Sequence, residues 1–237
     1  MSTHAVRHDD ARVGLRLRVS PHWAWLAGAL VLAFALPYLL ADVLELNRDL
    51  FYGVYAVAVA ALFVGWARST GYDLVYALER RWTWAVGLGL AAAAVLALVV
   101  VRTDDATPRP DGLELVGAVA WRGVVYGLAD GLLLSVFPIL AVFAAMAGTR
   151  LNQRLRGRVV IGAIALLASL AMTAVYHAGY SDFRSEKIQK PLTGDVVWSI
   201  PTLVTLNPVG APIAHVGLHT SAVLHSYETD TFLPPHR

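Results

Sequence analysis

Two histidines, His215 and His219, stand four residues apart in the apolar stretch Asn207-Pro-Val-Gly-Ala-Pro-Ile-Ala-His215-Val-Gly-Leu-His219 near the carboxyl end. On a helix this spacing puts both imidazoles on one face, one turn apart. An imidazole in apolar surroundings must be hydrogen-bonded or metal-bound, because a buried unpaired polar group is costly. With Pro208 and Pro212 opening the helix, Ala211, His215, His219, Ala222 and Ser226 share a small, polar face. Such a pair can place two nitrogens on one divalent ion, zinc or another. A third ligand from a different helix would then leave a position for water. His177, at the end of an earlier apolar run, is the expected third ligand. The competing reading is a structural network in which the pair bonds backbone, Ser and Thr groups between packed helices.

Glu114, Arg122 and Asp130 fall in the apolar segment 113–148. Ionisable side chains held within a membrane are functional candidates because keeping them there is costly. Glu114 and Asp130 are the candidate general bases, which must come within hydrogen-bond reach of the water they activate. Arg122 completes the expected catalytic set, or pairs with Glu114 or Asp130 as a structural ion pair. Asp130 also reads as a cap at a helix break. His225 lies off the 215/219 face and reads as a capping or headgroup residue.

The elements that must position these groups are membrane helices. The chain has 237 residues, 57% of them hydrophobic and only 15% charged, and the charges gather in short clusters between apolar runs. The expectation is an all-α polytopic transmembrane bundle of about six spans in contact with the lipid bilayer. Trp23–Leu40 reads as an uncleaved first span, followed by 50–67, 82–101, a span within 113–148, 159–176 and about 210–227. The run 113–148 is too long for one straight crossing and is expected to be interrupted or partly re-entrant, near Asp130-Gly131 or Pro138. Residues 196–212, with Pro201, read as a half-helix or re-entrant element leading into the last helix. Gly123, Gly127 and Gly131 line one helical face and invite close approach by another helix.

Three regions are expected: a basic amino-terminal segment 1–20, one transmembrane domain 21–227 and a polar tail 228–237. Arg7, Arg12, Arg16 and Arg18 precede the first apolar run, and Arg150, Arg154, Arg156 and Arg158 form the most basic loop, which orients the amino terminus to the cytoplasm. Arginine far outnumbers lysine, with Lys187 and Lys190 the only lysines, and alanine and valine are abundant. That balance fits a GC-rich bacterial genome and hence a bacterial plasma membrane. The net charge of +2 reflects loop arginines rather than a nucleic-acid footprint. With no cysteine, disulfides, thiolate nucleophiles and Cys-based zinc sites are excluded.

Trp121-Arg122-Gly123, then Ala174-Val175-Tyr176-His177, then Asn207 to His215 with His219 four residues later, resemble the CPBP family over roughly residues 114–226. These are intramembrane metalloproteases that include the type II CAAX prenyl endopeptidases and bacteriocin-processing proteins, with the pattern EExxxRG, FxxxH and HxxxN. The resemblance implies that His177 and His215 bind or position a catalytic water and that His219 takes the asparagine position. The chain departs where the glutamate pair should stand, at Gly117 and Ala118, and Thr173 replaces the phenylalanine. Glu114, one turn before Ala118, is the carboxylate nearest that place. Two functional classes follow: an intramembrane metal-dependent hydrolase acting on a peptide or lipid bond, and a non-enzymatic transporter, scaffold or immunity-type protein with a structural histidine network.

Overall fold

The computed structural model describes residues 20–229 and 231–234. The basic amino-terminal arginines lie outside the described residues, as do Asp230, His236 and Arg237. Among the described residues the chain is helical, without strands. The helices are α1 (Pro21–Val43), α2 (Arg48–Thr70), α3 (Leu74–Glu79), α4 (Trp82–Thr103), α5 (Gly112–Ala145), α6 (Leu155–Ala178), α7 (Gln189–Thr205) and α8 (Gly210–His225). Local signals set several of their ends. Pro21 opens α1, where its missing N–H costs nothing. The Asn47 and Asp73 side chains accept the Leu50 and Tyr76 amides to cap α2 and α3, and Gly71 at φ 68° closes α2.

Five helices, α1, α2, α4, α5 and α6, are long and apolar enough to cross a membrane. The sixth expected span, α8, has 16 residues and falls short of the roughly 20 that a crossing needs. It nevertheless runs the length of the bundle with α7. At the end of α7, Arg81 Nη1 donates to Val204 O and the Asn207 amide donates to Leu78 O and Arg80 O. At the end of α8, His225 Nε2 donates to Asp104 O, and Thr107 N and Arg109 Nη1 donate to the carbonyls of His225 and Leu224. Loops 71–81, 146–154 and 206–209 therefore share one end of the bundle, and loops 104–111, 179–188 and 226–234 share the other.

The interruption expected in 113–148 takes the form of two widened turns, at Val119–Val125 and Gly131–Val136, in a helix that stays continuous. Pro138 explains the second. It has no N–H for the carbonyl of Leu134, and Ser169 Oγ of α6 donates to that oxygen instead, at 2.7 Å. At 34 residues α5 is about 50 Å long, which its heavily buried central position accommodates. The interruption near 196–212 is a turn at Leu206, φ 55°, between α7 and α8. Helix α7 begins at Gln189, ahead of the half-helix expected at 196–212, because its first turns are polar where they reach the exposed end of the bundle.

The glycine row of α5 works as its spacing predicts, and its partner is α8. A Cβ on Gly123 would lie 2.6 Å from Thr220 Oγ1, one on Gly127 2.8 Å from Val216 Cα, and one on Gly131 2.6 Å from Pro212 Cα. Only a bare backbone permits that contact. Helix α8 also packs along α4 and α7, so it sits between two apolar clusters, one built from α1, α2, α5 and α6 and one from α4, α7 and α8.

Candidate metal centre

The close approach of α8 to α5 puts Asp130, the residue before Gly131, against the histidine face. One ligand atom each from Asp130, His215 and His219 lie within 4.8 Å of one another, and all three residues are buried. His219 Nε2 is 3.2 Å from Asp130 Oδ2, and His215 Nδ1 is 3.7 Å from the same oxygen. The second carboxylate oxygen, Oδ1, accepts the Tyr55 hydroxyl of α2 at 2.8 Å.

Hydrogen-bond accounting constrains the protons. His219 Nδ1 donates to the carbonyl of Phe232 at 2.8 Å, since a carbonyl only accepts. Neutral His219 therefore presents the Nε2 lone pair to a carboxylate oxygen, and two lone pairs at 3.2 Å repel unless a cation lies between them. His215 is fully buried, and neither of its nitrogens has a hydrogen-bond partner among the described residues. A proton on His219 would relieve the first conflict but leave His215 unsatisfied. A divalent ion held by Asp130, His215 and His219 would relieve the first and give one His215 nitrogen a partner, and the N₂O donor set suits zinc or a similar borderline ion. The residues present fit such an ion. The Phe232 carbonyl and the Tyr55 hydroxyl are the outer contacts that fix ligand orientation at metal sites.

The expected site residues divide. His215 and His219 come together on α8 as their spacing predicts. Asp130, expected as a base, stands where the third ligand was expected. His177 is not in the ligand group: its Nδ1 donates to Thr173 O at 2.8 Å, and the ring lines the adjoining cavity. Glu114 is exposed in the first turn of α5. Sixteen residues of helix separate it from Asp130, about 24 Å, so it does not reach the centre. Arg122 pairs with neither Glu114 nor Asp130. It grips Asp49 with two bonds of 2.9 Å, and its guanidinium lies 4.8 Å from the Tyr227 ring centroid.

Sequence reasoning missed four contributors. Tyr55 orients Asp130, and the Tyr126 ring meets His219 edge-on at 4.7 Å between centroids. The Trp198 ring lies 4.5 Å from that of His215, and the Phe232 carbonyl holds His219. Tyr126 alone carried a signal, lying one turn before Asp130 on the same face. The tail, expected to be a separate polar segment, folds back over the centre, with Leu233 and Pro234 buried. It turns inward because Thr229 and Glu228 are tied to Asp104 and Thr107 in the neighbouring loop.

A cavity of about 440 Å³ opens onto this centre. Asp130, His177, His219 and Tyr126 form its polar floor, and α4, α7 and α8 supply largely apolar walls. A concave, mostly apolar space with a few convergent polar groups is the usual form of a small-molecule site. No protein-family model, curated protein or solved structure matches the chain.

Proposed function

We propose that the chain is a membrane-embedded, metal-dependent hydrolase whose centre is Asp130, His215 and His219. One observation carries this reading: a single carboxylate oxygen is faced by two imidazole nitrogens, and among the described residues the His215 ring has no hydrogen-bond partner for either of its nitrogens. Three protein ligands with a cavity at their side is the arrangement of a catalytic rather than a structural zinc site. A bound ion would supply Lewis acidity and lower the pKa of an attached water toward about 7.

The rest is work for the chain itself. Tyr55 holds the Asp130 carboxylate and Phe232 holds the His219 ring. His177 Nδ1–H donates to the Thr173 carbonyl, so in the neutral ring Nε2 keeps a lone pair. Lining the cavity beside Asp130 and His219, it is the group placed to accept a proton from water and return it to a leaving group. Kinship with the CPBP proteases is a separate proposal. It is supported by the order of the Trp121-Arg122-Gly123, His177 and Asn207–His219 motifs, and the hydrolase reading does not need it.

Elemental analysis of detergent-purified protein tests the centre, alongside hydrolysis of p-nitrophenyl butyrate with and without chelator. The expected result is one divalent ion per chain, absent from His215→Ala and His219→Ala, with chelator-sensitive ester cleavage. His177→Gln should keep the ion and lose the cleavage. A folded wild type that binds no added zinc, cobalt or manganese would end the proposal and favour a structural Asp130–His219 ion pair.

A further inference from the structure

The geometry points to an acyl lipid as the substrate, reaching the centre sideways from the bilayer through a slot between α4 and α7. This rests on the hydrolase reading for its chemistry, but the cavity alone carries the choice of substrate class. Val95, Val99 and Thr103 lie one turn apart along α4 and line the cavity, yet Val95 and Val99 are 50% and 40% exposed. The cavity is therefore open along about 12 Å of α4, over a stretch that belongs to a membrane-spanning helix. Its open side faces hydrocarbon.

The lining discriminates between the two substrate classes. Leu96, Val197, Leu218 and the Trp198 ring form the walls between floor and mouth. The polar atoms along that stretch are already bonded: the Thr193 hydroxyl donates to Gln189 O and the Trp198 indole N–H to Asp195. A peptide drawn into the slot would bring an amide N–H and C=O with every residue and find no partners for them away from water. A hydrocarbon chain requires none. At about 440 Å³ the space is also too small for a helix 10–12 Å across.

Depth agrees with this choice. His219 is six residues, about 9 Å, from the end of α8 at His225, which is bonded to the loop after α4. That places the centre just below the headgroup level, where the linkage between a lipid's chain and its polar head resides. Gln189 and Lys190 stand at the mouth, suited to the head, while the chain lies along Val95 and Val99. Water adds to the acyl carbonyl carbon and the bond from that carbon to the ester oxygen or amide nitrogen breaks. The leaving group takes up the proton, giving a fatty acid and an alcohol or amine.

The test uses p-nitrophenyl butyrate and palmitate in mixed micelles, together with quenching of Trp198 fluorescence by doxyl-labelled stearic acid, with Trp198→Phe as the blank. Wild type should prefer palmitate over butyrate in kcat/KM by roughly tenfold or more. Val99→Trp, which fills the slot, should collapse that preference while retaining the bound metal. Val95→Trp, in the same wall one turn away, is the second variant should the first fail to fold. Doxyl-stearate should quench Trp198 in wild type even after chelation, and should not do so in the slot variants. Cleavage with no chain-length preference would overturn the lipid assignment and leave the hydrolase standing. Quenching without cleavage or metal would overturn the hydrolase and leave the slot a chain-binding site. Absence of quenching would overturn the slot.

Discussion

Asp130 and Asp195 are both carboxylates buried in the helical bundle, and their surroundings are opposite in kind. Asp195 is met by hydroxyls and an N–H: Ser199 Oγ donates to its Oδ1 at 2.8 Å and the Trp198 indole N–H at 2.7 Å, with Ser169 Oγ, whose proton goes to the Leu134 carbonyl, 3.0 Å away, while Oδ2 has no hydrogen-bond partner among the described residues. Ser135 extends that network through Ser199. Asp130 receives one hydroxyl, from Tyr55, and otherwise faces the nitrogens of two histidines. A buried carboxylate among hydroxyls can be stabilised by hydrogen bonds alone, whereas one among imidazole lone pairs calls for a cation. The difference separates a packing cluster from a functional one more sharply than burial does. The two are linked through Trp198, which donates to Asp195 while its ring backs His215.

The largest expected effect breaks the comparison outright if it fails. Asp130→Ala should abolish metal binding, taking the content from one ion per chain to none by elemental analysis, while Asp195→Ala should leave it at one. Equal loss in both variants would mean that the ion, if present, is not held as the Asp130 geometry requires. Next in size is Tyr55→Phe, which removes the only hydroxyl on Asp130 Oδ1 among the described residues. Loss of such an outer contact lowers metal affinity by about 10–100-fold. Chelator competition should find a weakened but still stoichiometric site, and an unchanged Kd would remove Tyr55 from the centre.

Asp195→Ala sharpens the contrast from the other side. It strips the acceptor from the Trp198 N–H, and unsatisfied buried donors cost about 1–3 kcal/mol each. Thermal unfolding in detergent should show the destabilisation with metal content unchanged. Should metal affinity fall as well, the Trp198 contact to His215 is positioning a ligand, and the two clusters act as one.

How much of this was legible in the sequence depended on how local the determinant was. His215 and His219 are fixed relative to each other by one helical turn, and Gly123, Gly127 and Gly131 declare a contact face by the same period. Which residue joins the histidines is a different problem. It depends on the register of α5 against α8, set by the glycine contacts to Thr220, Val216 and Pro212, and no spacing along the chain encodes that. His177 is near the centre but turned to its own helix backbone, so it lines the cavity without being in the ligand group. The beginning of α7 was hidden for a local reason: Gln189, Lys190 and Thr193 are polar because that end of the helix is exposed, and in sequence an exposed helix end and a loop look alike. Tyr55 was hidden because a tyrosine in an apolar span reads as packing until the carboxylate opposite its hydroxyl is known.

A third carboxylate, Asp49, extends the comparison to the surface and carries the smallest expected effect. Its partner Arg122 was a catalytic candidate because a guanidinium in an apolar run is costly unless it has a purpose. The structure gives it one of a different sort. Arg122 is not among the residues that line the cavity and ties the first turn of α2 to α5 through Asp49, with the Asp49 side chain 54% exposed. Water screens an ion pair in such a place, and exposed pairs contribute about 0.2–1 kcal/mol. Arg122→Gln should therefore shift the unfolding midpoint slightly, leave the metal stoichiometry at one and leave butyrate hydrolysis close to wild type. A loss of hydrolysis with metal and stability intact would mean that charge at the end of the bundle acts on the centre. The line between Asp130 and the other carboxylates would then have been drawn by contact where it should have been drawn by field.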